Sequence, residues 1–143
     1  MIDVVFEKIH PDAVIPSYAS DGAAGMDVRA VNHMIIPRDE HRLIDTGLKV
    51  RVPEGYEMQV RSRSGLALKY GIVILNSPGT VDSDYRGMLG VILANHGTGD
   101  YHVTEQQRIA QLVIAEVPLV NVQEGKVDND TARGNGGFGS TGR

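Results

Sequence analysis

Arg61-Ser62-Arg63-Ser64-Gly65 places two guanidinium groups at i and i+2, on one face if the chain is extended. Arg offers a planar fork of donors that matches phosphate or carboxylate oxygens. Arg63, the Ser64 hydroxyl and the Gly65 N–H gather where a helix could begin, and the free amides and dipole of a helix start favour an anion. A solvated basic loop is the plainer reading. Asn76-Ser77-Pro78-Gly79-Thr80-Val81-Asp82-Ser83-Asp84-Tyr85-Arg86-Gly87 is a second such segment. Pro78-Gly79 predicts a tight type II turn, and the flanking apolar runs predict a rigid hairpin. Asp82 and Asp84 share a face of an extended chain, where they could hold a metal or supply a general base. An Asp-rich turn is the alternative.

Three further segments stand out. Asp27, in Ala24-Gly25-Met26-Asp27-Val28, opens an apolar run and suits either a turn bonded to its own backbone or an acid near a metal. Gln111 interrupts the apolar run around Arg108-Ile109-Ala110-Gln111-Leu112-Val113-Ile114, and a buried amide must find partners. The tail Arg133-Gly134-Asn135-Gly136-Gly137-Phe138-Gly139-Ser140-Thr141-Gly142 contains a G-x-G-x-x-G match. A dinucleotide fingerprint opens a helix within a βαβ unit, which this sequence does not offer. The glycines suit close approach of a backbone to a ligand, with Arg133, Phe138 and Ser140 adding a charge, a stacking face and a hydroxyl. A disordered linker has the same composition. Other nucleotide and hydrolase patterns are missing: there is no P-loop, no H-E-x-x-H and no G-x-S-x-G. His10, His33, His41, His96 and His102 are scattered without ligand spacing.

The elements that must position these groups follow from composition and period. The chain has 143 residues, one domain's worth, with 17 Gly, no Cys and a formal charge of −4. Missing Cys excludes disulfides, zinc–thiolate sites and a Cys nucleophile. The net charge disfavours a broad nucleic-acid footprint, and no apolar run approaches a membrane span. The N-terminus has no apolar signal region, so a cytoplasmic protein is expected. Val and Ile total 28, against 9 Leu and 7 aromatics. Such β-branched residues favour strands, and period-2 or short apolar runs occur at 2–8, 26–31, 33–36, 42–52, 56–61, 71–75, 89–94, 100–104 and 108–117. Ser64–Leu68 suits a short helix capped by Ser64. An all-β sandwich, jelly roll or barrel is expected. So few large side chains make a thin core and suggest that copies of the chain complete it.

Together and in order, the five segments resemble the five motifs of the trimeric deoxyuridine triphosphatases (dUTPases), with GTVDSDYRG, RIAQL and RGNGGFGSTG the most telling stretches. The resemblance runs from about residue 18 to the end. It implies an all-β, distorted jelly-roll or β-clip barrel with one short helix, a catalytic core at 1–127 and a flexible Gly-rich arm at 128–143. It implies a homotrimer with active sites shared between subunits, and Mg²⁺-assisted hydrolysis of dUTP to dUMP and pyrophosphate, limiting uracil in DNA and supplying dUMP for dTMP synthesis.

By matched position, Asp82 is implied to activate water and Tyr85 to pack on the deoxyribose. Asn76, Gly79, Thr80 and Val81, with backbone near Gly90, would read uracil. Arg63, Ser64, Gly65 and Gln111 would contact phosphates, and Asp27 would reach Mg²⁺ through water. Arg133, Phe138, Gly139 and Ser140 would close over substrate from another subunit. Ser62, Met88 and Asn135 depart from residues frequent in the family, without removing a catalytic group. Two other classes share some of these features: a dCTP deaminase-like or bifunctional enzyme, and a dUTP-dependent regulatory binding protein. The first needs a deaminating acid near the base, and ammonia release from dCTP would reveal it. The second calls for a partner whose capture depends on a dUTP analogue.

Overall fold

The computed structural model describes residues 1–142, and its regular structure is strand apart from one short helix. The strands are β1 (Val5–Lys8), β2 (Ser17–Tyr18), β3 (Met26–Arg29), β4 (Met34–Ile36), β5 (His41–Arg51), β6 (Tyr56–Arg61), β7 (Ile72–Ile74), β8 (Gly79–Val81), β9 (Met88–Asn95), β10 (Tyr101–Val103) and β11 (Arg108–Glu116). The one helix, α1, spans Ser64–Tyr70. Alternation decides which way each strand faces. In β6, Met58 and Val60 are buried, while Glu57, Gln59 and Arg61 point away and bond to one another in a row.

The strands form a four-stranded sheet, β1-β5-β9-β7, a five-stranded sheet, β2-β3-β11-β6-β8, and a two-stranded ribbon, β10-β4. None closes on itself, so the molecule is the all-β, distorted jelly-roll-like arrangement expected from sequence, in its open form. One apolar cluster fills its interior, with Val28, Ile36, Leu48, Met58, Leu93, Ile109 and Leu112 among its fully buried side chains. No aromatic residue is fully buried among the described residues; Phe6, Tyr56 and Tyr101 only flank the cluster. Meanwhile Leu119, Val120, Val122 and Val127 lie almost fully exposed after β11.

Three local expectations are corrected. The residue at the start of α1 in the capping position is Arg63, with no side-chain cap bond, so Ser64 is the first helical residue and not the cap. Gly71, at φ 67°, ends α1 with its N–H on the Ala67 carbonyl. Pro78-Gly79 does not make a type II turn: Gly79 lacks the positive φ that turn needs, and opens β8 opposite Val60. The segment is also more than a hairpin. β7 and β9 pair with each other, but β8 between them pairs with β6 in the other sheet, so the loop spans both sheets.

Gly47 marks the register shift between β5 and β9. It has φ 66°, and a Cβ there would lie 2.7 Å from His10 Cβ and 2.9 Å from Val31 Cγ1. Left-handed backbone and a crowded site act in the same direction, so Gly47→Ala is expected to cost at least about 2 kcal/mol. Urea unfolding reads this as a lower midpoint at unchanged slope; an unchanged midpoint would show that the shift absorbs a side chain.

Candidate active site

The loop that spans both sheets walls a cavity of about 270 Å³. Asn76, Gly79, Thr80, Val81 and Asp82 line one side, Met88, Leu89, Gly90 and Ile92 another, and Leu43, Val60 and Tyr85 complete it. Two glycines admit the close approach. A Cβ on Gly79 would sit 3.1 Å from Val60 Cβ, and one on Gly90 would sit 2.6 Å from Leu43 Cδ1. Tyr85 is fixed by its hydroxyl, which donates to the Met88 carbonyl at 2.9 Å, and by the approach of its ring to Gly87, where no Cβ would fit. The lining joins apolar side chains to the backbone of the edge strand β8 and to the Asn76, Thr80 and Asp82 side chains, which suits a flat, polar-edged ring.

Asp82 and Asp84 do not share an extended face. The Tyr85 N–H bonds the Asp82 carbonyl, the chain turns, and the two carboxylates diverge. Asp82 lines the cavity, whereas Asp84 faces a separate hollow with Arg51, Glu54 and Arg86. Asp82 is exposed, and its carboxylate makes no hydrogen bond or ion pair among the described residues. It is therefore free to hold a water.

A second grouping forms where β3, β11 and β6 lie side by side. Register puts Gln111 of β11 between Asp27 of β3 and Arg61 of β6. Asp27 is clamped from two sides, Oδ1 by Arg63 Nε at 3.1 Å and Oδ2 by Arg108 Nη1 at 3.1 Å. Arg63 Nη1 also donates to the Arg108 carbonyl at 3.3 Å. The Asp27 side chain is only 19% exposed and that of Arg63 24%, so this pairing is partly screened from water. Two guanidinium groups against one carboxylate leave a positive surface beside the start of α1, where the amides of Ser64 and Gly65 have no helical carbonyl to bond. From sequence, Arg108 carries no site role, and Ser62 stands out only as a departure from the family. Ser62 Oγ accepts the Ile74 N–H at 2.9 Å and so ties this segment to β7. Its position beside Arg63 was legible, but nothing local signalled that bond.

Within one chain the two groupings stay separate. Arg63, Ser64, Gly65, Gln111 and Asp27 do not line the cavity, and no hydrogen bond or ion pair links them to it among the described residues. The tail joins neither. The hydrogen bonds of residues 128–142 run within that segment, including Arg133 Nε to the Gly136 carbonyl at 2.8 Å and the Ser140 N–H to the Gly137 carbonyl. Phe138 is fully exposed and adopts φ 50°. Gly139 is likewise exposed.

Among the described residues no group of three or more His, Asp or Glu side chains could hold a metal ion, and no helix is long and apolar enough to cross a membrane. The Asp27 oxygens are both taken by guanidinium groups, so this chain's donors suit an ion brought in on a substrate better than one caged by protein.

Comparison with known proteins is consistent with this geometry. The deoxyuridine 5'-triphosphate nucleotidohydrolase of Clostridioides difficile is 45% identical over 99% of both chains. That of Chlamydia trachomatis serovar L2 is 53% identical over 96% of this chain and 97% of its own. The structure of the Staphylococcus bacteriophage 80alpha dUTPase with dUpNHpp superposes with a TM-score of 0.91 at 25% identity and covers both chains completely. A mutant dUTPase of phage phi11 of S. aureus, described with a structural Mg(II) ion, shares the fold with a TM-score of 0.82 at 23% identity over 88% of this chain and 98% of its own. The dUTPase family model matches residues 11–142, and with these relatives it shows that the chain belongs to the dUTPase family and is a dUTP nucleotidohydrolase.

Proposed function

We propose that the chain cleaves dUTP between the α- and β-phosphates, giving dUMP and pyrophosphate, and that it works as a homotrimer whose sites take residues from several subunits. The observation that carries this reading is the division of the site: a cavity fit for a base with a free carboxylate at its wall, and a clamped arginine cluster elsewhere on the same chain. Neither half alone could hold a nucleoside triphosphate and attack it. Symmetric assembly brings unlike patches of identical chains together, and the exposed Leu119, Val120 and Val122 supply apolar surface for it.

In this reading uracil enters the cavity, where backbone groups near Asn76, Thr80, Val81 and Gly90 complement its O4 acceptor and N3–H donor. Tyr85, its ring held by the hydroxyl bond to the Met88 carbonyl, packs under the deoxyribose and discriminates against a 2′-hydroxyl. Arg63, held by Asp27, and Arg133 from the arm bind phosphate oxygens, with Ser64, Gly65 and Gln111 beside them. Mg²⁺, accompanying the triphosphate and reaching Asp27 through water, would offset its charge and polarise the α-phosphate. Asp82 orients a water and takes its proton as the water oxygen bonds to the α-phosphorus. The bond from that phosphorus to the bridging oxygen breaks opposite, and pyrophosphate leaves. Phe138 and Gly139 close over the base, with Ser140 on the phosphates, and exclude bulk water. The core at 1–127 and the arm at 128–143 thus act as scaffold and lid. Such an activity limits uracil in DNA and supplies dUMP for dTMP synthesis.

Pyrophosphate release from dUTP, dCTP, dTTP and UTP tests the reading. Cytosine reverses the donor–acceptor pattern and leaves buried groups unpaired, at about 1–3 kcal/mol each. dUTP is expected to be cleaved at least about ten-fold more efficiently than each of the other three. Comparable rates on all four would overturn the assignment of the cavity to uracil, and ammonia release from dCTP would favour a deaminase.

A further inference from the structure

The two-stranded ribbon β10-β4 carries a feature that the nucleotide chemistry does not use. Its antiparallel register pairs Tyr101 with Ile36, His102 with Ile35 and Val103 with Met34. Val103 and Ile36 turn into the core, so the alternate side chains, His102 and Ile35, face out. His33 precedes β4 by one residue and lies on the same outer face as Ile35, diagonal to His102. The rings meet across the strands. Their centroids are 5.6 Å apart, their planes tilted by 41°, and His33 Nε2 lies 3.4 Å from His102 Nδ1.

Two imidazoles that share one proton in a hydrogen bond can instead share a metal ion. A zinc-type ion bonds each imidazole nitrogen at about 2.0–2.1 Å with near-tetrahedral angles, which sets two such nitrogens about 3.4 Å apart. The separation on the ribbon already has that value. Chelation asks for the tautomers that leave the facing nitrogens with their lone pairs, His33 protonated on Nδ1 and His102 on Nε2, and for rotation of the exposed rings until both lone pairs converge on an ion beside the N···N line. Both residues are exposed, so water can complete the coordination sphere. No third protein ligand is at hand among the described residues. Two neutral nitrogens with no carboxylate select borderline ions such as Zn²⁺, Ni²⁺ or Cu²⁺ over the hard Mg²⁺.

We propose that His33 and His102 form a two-histidine chelate for a borderline divalent transition-metal ion, bridging β4 and β10 on the outer face of the ribbon. The sites are separated by 69 residues in the chain, so the ion would cross-link two segments that only folding brings together. It would therefore stabilise the folded chain in proportion to its occupancy.

The test uses the full chain and Ni²⁺ alone, in a buffer free of nucleotide and phosphate. Calorimetric titration is expected to give one site per chain. His33→Ala and His102→Ala are each expected to weaken it at least about ten-fold, since linking two weak contacts raises affinity by more than that. His41→Ala serves as the control and should leave binding unchanged. Cu²⁺ electron paramagnetic resonance gives a second reading on the unsubstituted chain, with hyperfine structure from two nitrogens expected. Equal Ni²⁺ affinity in the unsubstituted and His102→Ala chains, or coordination by a single nitrogen, would overturn the proposal.

Discussion

Replacing Asp82 with Asn is expected to lower dUTP turnover by at least about 100-fold, because a positioned general base contributes typically 10²–10⁴. The substitution keeps the size and planarity of the side chain but removes its capacity to take a proton. The structure makes this a clean experiment. Asp82 is exposed, and its carboxylate has no hydrogen-bond or ion-pair partner among the described residues, so no structural contact is lost. Thermal stability and affinity for a non-hydrolysable dUTP analogue should both hold. Asp84→Asn is the internal comparison. That carboxylate faces a different hollow with Arg51 and Arg86, so turnover should stay near the unsubstituted level. Stopped pyrophosphate-release assays at saturating dUTP decide between them. If Asp82→Asn retained full turnover, or Asp84→Asn lost it, the base would have been misassigned.

This contrast between two aspartates two residues apart shows where a sequence is readable and where it is not. Spacing alone put Asp82 and Asp84 on one face, because i and i+2 share a face only if the chain stays extended. The Tyr85 N–H bond to the Asp82 carbonyl turns it instead. The long strands β5, β6, β9 and β11 were legible, since burial enforces period-2 patterns such as Met58 and Val60. β2 and β8 were not. Ser17–Tyr18 is exposed and too short to show a period, and Gly79–Val81 follows a proline and reads as turn until β6 pairs with it. The anion site was half legible. Arg63 and Gly65 advertise it locally, but the clamp on Asp27 joins residues from β3, the start of α1 and β11. Arg108 lies 81 residues from Asp27 in the chain, and no local pattern encodes that meeting. The clamp also changes what Asp27 most plainly does. With both oxygens on guanidinium groups, it first holds Arg63 in place, and any contact with a hydrated ion comes at its remaining lone pairs. The histidines are the converse case. They looked scattered, yet the ribbon brings two of them into contact.

Removing residues 133–143 is expected to abolish most dUTP turnover while the fold survives, and mixing should recover part of it. The tail's hydrogen bonds run within the tail, and Phe138 covers nothing in its own chain, so its loss should leave the melting temperature of the core almost unchanged. Its absence would remove Arg133 from the phosphates and Phe138 from the base, and open the site to water. The same geometry predicts complementation. Truncated chains keep Asp82, and Asp82→Asn chains keep the arm. If each site takes these two elements from different subunits, refolding the two inactive variants together at equal amounts restores about a quarter of the sites, since each element is independently intact in half of them. If each site draws both elements from one chain, every site in the mixture carries one defect and no activity returns. A quarter of full turnover, against near none for either variant alone, would establish sharing; its absence, with mixed assembly verified by native mass, would confine the arm to its own subunit.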